Sequence, residues 1–461
     1  MKPRILLVNP PISDVAAFDL WARPLGLYLW AARLKQWGFR VAMIDCTDRR
    51  HPRLPQNNLK HRKDGRGHYY QEPMPERPEP VRSAMRRFKR YGLPPDALRT
   101  ALSDAQESLD GRPDMVLMTT RMTYWYHAAG ETARIVREEL GRDIPLVVGG
   151  VYASLMPRHA RAQMQPDFLL EGPALETLPE LLEEKFGQAG LHGRGVSPEI
   201  AGWPSPAYEL MHDRTALPIL TSVGCPGQCS YCAARTLWDR GFHRMEAAAA
   251  SEHIAHLRER FGTRHFAFYD DALLALPEKW FDPFLNALLE MNLDVRFHLP
   301  NGIHYAPLSN ERAERMREAG FHTIRLSLES TRPERLQSYR REGSNEDFRQ
   351  AVSALRSVGY EQSQVGAYIL AGTPGQKVEE VREAIDFVYD CGAHVRLCEY
   401  SPIPGTRDWR EALEASGGEL AGEPLWQNNN LYYHRPEAPI GPDAFEEMKE
   451  RVKRGRVRGN R

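Results

Sequence analysis

The sequence predicts an α/β protein in two parts: an open, doubly wound parallel sheet, then an open partial barrel of six strand–helix units. Two observations carry this. Short apolar runs alternate with helix-spaced segments through both halves of the 461 residues, a length that suits two or three domains. Three of the six cysteines, Cys225, Cys229 and Cys232, fall directly after the first strand of the second half, on the rim where α/β barrels place their chemistry.

The first part opens with Ile5 to Val8, an apolar run ending in Asn9-Pro10-Pro11, which reads as a buried parallel strand stopped by prolines. A helix over Leu25 to Trp37, closed by Gly38, leads into a strand from Arg40 to Asp45. The alternation returns at Met115 to Met118, the helix around Glu131 to Leu140, and Pro145 to Gly150. A smaller unit follows at Asp167 to Gly172, with a helix from about Leu175 to Phe186. Such sheets bind ligands at the carboxyl ends of their strands.

In the second part strands are predicted at Leu217–Val223, His265–Tyr269, Val295–Leu299, Thr323–Leu328, Val365–Leu370 and Val395–Glu399. Helices are predicted between them near Ala247–Phe261, Glu278–Met291, Asn310–Ala319, Asp347–Val358 and Val378–Cys391.

Two stretches break the pattern. Arg49 to Gly92 holds 13 Lys or Arg against four acidic residues where a short crossover would do; its length and composition fit a lid, a binding loop or a solvated surface insert. Lys449 to Arg461 holds seven Lys or Arg and one Glu, a basic tail. Over the whole chain 61 basic residues balance 61 acidic ones, which argues against nucleic-acid binding through bulk charge. No apolar run nears the roughly 20 residues of a membrane helix. Residues 1 to 9 enter a strand pattern at once, so no secretory or transit segment is read and a cytoplasmic setting is expected.

Spacings of four and three are too tight for a disulfide framework, which points to a metal or cluster. Structural zinc normally takes four protein ligands, and His243 and His253 stand at no zinc spacing. Three thiolates suit a 4Fe-4S cluster that leaves one iron open to a small molecule.

The Cys-x3-Cys-x2-Cys run, with Tyr231 before its last cysteine, resembles the signature of the radical S-adenosylmethionine superfamily, and Leu217 to Trp409 resembles that family's barrel. The resemblance implies a 4Fe-4S cluster on Cys225, Cys229 and Cys232, S-adenosyl-L-methionine on its open iron, and a 5'-deoxyadenosyl radical as the reactive product. Tyr269, Asp270 or Asp271 would meet the methionine ammonium, and Arg340 or Arg341 its carboxylate. Asn301 follows the third strand, and Ser327 and Glu329 fall in the segment that meets ribose and methionine. Gly372, Tyr400 and Pro402 resemble the adenine-side turns. A reductant such as flavodoxin or ferredoxin is implied as partner, and a small-molecule or peptide substrate.

Residues 1 to about 195, including the insert at about 49–92, resemble the cobalamin-binding-like, Rossmann-type domain preceding the barrel in one subgroup. The resemblance rests on Val8-Asn-Pro-Pro11, Arg23-Pro-Leu-Gly-Leu27, Ile44-Asp45, Val148-Gly-Gly-Val151 and Leu170-Glu-Gly172. It implies cobalamin near Gly26, Thr119, Thr120, Gly149, Gly150 and Gly172. One departure stands out. Where cobalt-ligating domains carry Asp-x-His-x-x-Gly, this chain reads Asp45-Cys46-Thr47, with no histidine. The expected organisation is 1–195, a partial barrel over 210–410, and an extension over 411–461.

The expected function is radical S-adenosylmethionine chemistry, with methyl transfer to an unactivated centre if cobalamin is bound. Rearrangement, cyclisation or oxidation stands as the alternative, and an iron–sulfur or cobalamin sensor as the non-enzymatic one. A transfer-RNA methylthiotransferase is disfavoured, because the first 200 residues hold only Cys46. Cys391, Cys398, His127 and His159 read as ordinary residues. No residue is assigned as acid, base or hydrogen donor.

Overall fold

Runs rich in Val, Ile and Leu become strands buried on both faces, the environment that rewards continuous rather than alternating apolar residues. The computed structural model of the chain describes residues 2–55, 59, 61–84, 86–187 and 197–458. Two units are present: Met1–Thr215 with Gly422–Trp426, and Ala216–Ala421 with Gln427–Arg461.

The first unit contains β1 (Arg4–Asn9), β2 (Ile12–Asp14), β3 (Arg40–Asp45), β4 (Gln71–Pro73), β5 (Lys89–Tyr91), β6 (Met115–Thr120), β7 (Leu146–Gly150) and β8 (Phe168–Leu169). Five of these form a parallel sheet in the order β3-β1-β6-β7-β8. The order reverses between β1 and β6, the switch point at which open α/β sheets form a crevice. Ile5, Leu7, Leu117 and Val147 pack against Leu27, Ala31 and Leu34 of the helix Leu25–Gln36 and Leu181 of the helix Thr177–Phe186.

The described residues of the basic insert carry short strands and a helical turn, with buried positions among many exposed ones. Its strands β4 and β5 join β2 in a three-stranded antiparallel sheet, and Tyr69, Val81 and Phe88 are buried. Two of its arginines are paired with carboxylates, most of them outside the insert. Arg49 donates to Asp19 at 2.7 Å and to Asp213 at 3.1 Å, and Arg23 donates to the same Asp19 at 2.6 Å. All four side chains are buried. Arg90 likewise bridges Glu72 and Glu131.

The second unit contains β9 (Ala216–Ile219), β10 (Ser222–Val223), β11 (His243–Arg244), β12 (His265–Phe268), β13 (Arg296–His298), β14 (Phe321–Glu329), β15 (Val365–Ala371) and β16 (His394–Glu399). Six are parallel and run in chain order, β9-β12-β13-β14-β15-β16. Helices Ala247–Phe261, Phe281–Met291, Asn310–Glu318, Asn345–Ser357 and Val378–Asp390 lie between consecutive strands from β9 onward. Phe266, Phe268, Phe297 and Phe321 form a ring cluster on the strands, and Phe268 and Phe321 meet Phe284 and Phe281 of the second of these helices edge-on, fixing sheet against helix.

The run Leu217–Val223 is not one strand. Buried Asp270 accepts from the Thr221 amide at 3.2 Å, the Thr221 hydroxyl at 2.6 Å and the Ser222 hydroxyl at 2.6 Å. These bonds turn the chain, and β10 leaves the sheet to pair antiparallel with β11. At the far end, the helix Pro442–Arg458 takes in most of the basic tail, and residues 459–461 lie outside the described residues.

Replacing Asp19 by Ala leaves Arg23 and Arg49 without their shared carboxylate in a buried site, a loss of about 3–5 kcal/mol. The expected outcome is a fall of roughly 6–20 °C in the midpoint of the thermal transition. An unchanged midpoint by calorimetry contradicts this anchoring role.

Candidate functional site

The cysteine loop follows β10. Gly224 adopts φ +77°, and a Cβ there would stand 2.2 Å from the Gly241 carbonyl oxygen, so only glycine enters this turn. Ser230 clamps the loop twice through its backbone: its amide donates to the Tyr339 carbonyl at 3.1 Å, and its carbonyl accepts from the Asp408 amide at 3.1 Å.

Each thiol sulfur receives one donor. The Gly227 amide lies 3.4 Å from the Cys225 sulfur, the Ala234 amide 3.4 Å from that of Cys232, and Arg341 Nη1 3.7 Å from that of Cys229. Such donors suit sulfurs that carry negative charge. Burial raises the Cys225 pKa, and the protein around Cys232 pushes its thiol up to about 11, although solvent reaches that residue. A bound metal displaces those protons. Among the described residues no three His, Cys, Asp or Glu side chains converge on a single-ion site. Three separate sulfurs, each with its own donor, fit a cluster that takes one thiolate per iron. They do not fit one shared zinc.

Arg341 joins the loop to the barrel. Its other nitrogen donates to the Ser327 carbonyl at 2.8 Å, and Tyr231, Glu329 and Cys229 keep its pKa high against burial. Glu329 ends β14 with φ +65°, rare for a residue with a side chain, and burial pushes its carboxyl up to about 7, opposed by Arg341 and a hydrogen bond to Tyr231. Asp271 is open to solvent, and burial of its carboxyl with the neighbouring Asp270 pushes it up to about 6.

The remaining expected residues divide by what occupies them. Asp270 is spent on Thr221 and Ser222. The Asn301 amide donates to the Tyr269 carbonyl at 3.0 Å. Gly372 has φ +93° and receives the Gln376 side-chain oxygen on its amide. Pro402 is buried beside Tyr400, whose hydroxyl is buried without a hydrogen-bond partner among the described residues.

In the first unit, Thr120 is committed to the fold, donating to the Gly149 carbonyl at 2.8 Å and accepting from the Ala153 amide at 3.1 Å. Gly150, at φ +97°, admits no Cβ because the Thr120 carbonyl would lie 2.3 Å away. Its small size thus serves the sheet. Thr119 and Gly149 stand at the same carboxyl edge, and no heavy atom lies within 4 Å of a Cβ built on Gly26 or Gly172. The Asp45 carboxylate closes the end of β3, accepting from Asn9 at 2.6 Å and the Thr47 hydroxyl at 2.8 Å.

Two features escaped the sequence reading. A Cβ at Gly302 would sit 2.0 Å from Ser327 Oγ, so this glycine lets the 300–304 segment lie against β14. Tyr126 donates to Glu423 at 3.0 Å, a partner 297 positions away.

Residues 219–388 match the Radical SAM superfamily. An uncharacterized methyltransferase of Pyrococcus horikoshii is 22% identical over 327 residues, 65% of this chain and 70% of that one. The bacteriochlorophyllide d C-12(1)-methyltransferase of Chlorobaculum tepidum is 24% identical over 200 residues, 42% of each. Among solved structures, the radical S-adenosylmethionine methyltransferase TsrM of Kitasatospora setae, with tryptophan substrate and an S-adenosylmethionine analogue bound, superposes with TM-score 0.62 at 18% identity, covering 90% of this chain and 77% of that one. The cobalamin-dependent S-adenosylmethionine radical enzyme OxsB, with aqua-cobalamin bound, gives TM-score 0.57 at 15% identity, covering 95% and 57%. At such identities these likenesses establish the shared fold.

The raised pKa of Glu329 has a testable sign. The stability its protonated form brings is complete below its ordinary value of 4.5 and is lost as pH rises through about 7. Cluster-free Glu329→Gln protein is therefore expected to lose less thermal stability than the parent between pH 5 and 7.5. Parallel melting curves for the two proteins contradict the assignment.

Proposed function

From the radical SAM domain over residues 219–388, we propose that this protein is an S-adenosylmethionine radical enzyme whose reaction is methyl transfer assisted by cobalamin. The observation that carries the reading is the loop of three cysteines with one donor per sulfur.

Cys225, Cys229 and Cys232 hold the cluster, which when bound supplies the electron that splits S-adenosylmethionine into methionine and a 5'-deoxyadenosyl radical. Asp271 takes the methionine ammonium, since Asp270 is saturated by Thr221 and Ser222. Arg341 takes the carboxylate: it is half-buried beside Glu329 and Cys229, whereas Arg340 is exposed and turned to Gln228. Glu329, with Ser327 and Tyr231 beside it, supplies an acceptor for the ribose hydroxyls. The unpartnered Tyr400 hydroxyl offers the nucleoside a donor in a buried site.

In the first unit the crevice at the switch point between β1 and β6 is the corrin site, with Gly26, Thr119, Gly149 and Gly172 toward it. A bound corrin supplies the methyl carrier. Asp45 and Thr47 bond each other and Asn9, so this part of the chain offers no lower ligand to cobalt. Methyl transfer is supported by the relatives named as methyltransferases and by the fold shared with the methyltransferase TsrM, and cobalamin by the fold shared with the cobalamin-dependent enzyme OxsB. The substrate is a small molecule or peptide, and the electron comes from a donor such as flavodoxin or ferredoxin. Among the described residues no helix is long and apolar enough to cross a membrane.

Anaerobic, iron-loaded protein given dithionite and S-adenosylmethionine is expected to form 5'-deoxyadenosine, and Cys229→Ala to lose both iron and product. Full iron content in that variant contradicts the ligand assignment. Protein purified from cobalamin-supplied cells is expected to show a corrin absorption band, and its absence removes the methyl-transfer reading.

A further inference from the structure

The short helix after β14, Pro333–Ser338, and Tyr339, which ends it, bond to two separate parts of the barrel rim. One is the cysteine loop. The Tyr339 carbonyl accepts from the Ser230 amide at 3.1 Å, the Ser338 carbonyl accepts from Arg407, and the Tyr339 ring meets that of Tyr231 edge-on at 5.3 Å. The other is the turn that follows β15, residues 371–375. Arg335 donates to the Pro374 carbonyl at 3.2 Å and the Gly375 carbonyl at 2.8 Å, and the Tyr339 and Thr373 hydroxyls share a hydrogen bond of 2.6 Å.

The turn is framed from within by Gln376. This buried side chain accepts from the Gly372 amide at 2.7 Å and the Thr373 amide at 3.3 Å, and donates to the Leu370 carbonyl at 3.0 Å. Tyr400 moves with the turn: its amide donates to the Ala371 carbonyl at 2.8 Å, and its Cβ lies 3.8 Å from where a Cβ on Gly372 would stand. What fixes this unit to the cysteine loop is therefore the helix between them. Tyr339 and Thr373 are each only 1% exposed, so water cannot replace the bond between their hydroxyls. A phenylalanine would fill the same space; the hydroxyl of Tyr339 adds the bond to Thr373.

We propose that Tyr339 is a positioning residue that holds the nucleoside side of the site at a fixed spacing from the cluster side. Its hydroxyl fixes the 371–375 turn, and with it Tyr400, while its carbonyl fixes the cysteine loop. The inference rests on the proposed S-adenosylmethionine chemistry and adds to it the element that joins the two ends of that ligand's site. Tyr339 acts through the turn and not on the ligand itself. Its hydroxyl therefore governs how firmly the ligand is held in ground state and transition state alike, which shows in half-saturation and not in maximal rate.

The test uses full-length, cluster-loaded protein with dithionite and follows 5'-deoxyadenosine formation against S-adenosylmethionine concentration. Tyr339→Phe keeps the ring and the carbonyl and removes only the hydroxyl. It is expected to hold iron at the parent level and to raise the half-saturating S-adenosylmethionine concentration about fivefold, with the maximal rate within about twofold of the parent. Thr373→Val is expected to match it, and Thr373→Ser, which keeps a hydroxyl, to behave as the parent. The double variant Tyr339→Phe, Thr373→Val is expected to be no weaker than either single one, because the pair shares one bond. Parent-like half-saturation in Tyr339→Phe, loss of its iron, or single effects that multiply in the double variant overturns the proposal. Absence of 5'-deoxyadenosine from the parent protein instead removes the radical reading on which it stands.

Discussion

Everything at the site depends on how the cysteine loop is held at Ser230. Its amide and carbonyl are bonded to Tyr339 and Asp408, which come from two separate connections of the barrel, one after β14 and one after β16. A loop of small and polar residues has little apolar surface with which to fix itself, and each ordered residue costs about 1–2 kcal/mol of backbone entropy. Two backbone anchors at one point, with the Gly224 turn at the entrance, let three sulfurs keep fixed places while the cysteines themselves stay accessible.

On the barrel side, burial works against charge. Glu329 is raised to about 7 and Asp271 to about 6, while Arg341 stays cationic because Tyr231, Glu329 and Cys229 surround it. A ligand bearing both an ammonium and a carboxylate supplies the charges those groups lack in isolation.

Much of this was legible in the sequence. Parallel strands buried on both faces announce themselves as continuous apolar runs, so β1, β3, β6 and β7 and the six barrel strands fall close to where the alternation places them. The cysteine spacing pointed to a cluster without any fold. What stayed hidden was non-local. β2 and β5 are three residues each and lie about 75 positions apart, too short for periodicity and too distant for a hairpin signal. The insert's basic residues looked solvated because their partners, Asp19 and Asp213, stand far off in the chain. The break within Leu217–Val223 needs Asp270 to be seen beside Thr221, and the choice of Asp271 over Asp270 follows from the same contact. Gly302 carries no local mark of the hydroxyl it must avoid.

The central claim is that three thiolates leave one iron of a 4Fe-4S cluster open to S-adenosylmethionine. Electron paramagnetic resonance of the dithionite-reduced, cluster-loaded protein tests it most directly, recorded with and without S-adenosylmethionine. A 4Fe-4S signal whose g-values shift when S-adenosylmethionine is added is the expected result. A signal unmoved by saturating S-adenosylmethionine, or protein that holds stoichiometric zinc in place of iron, contradicts the account.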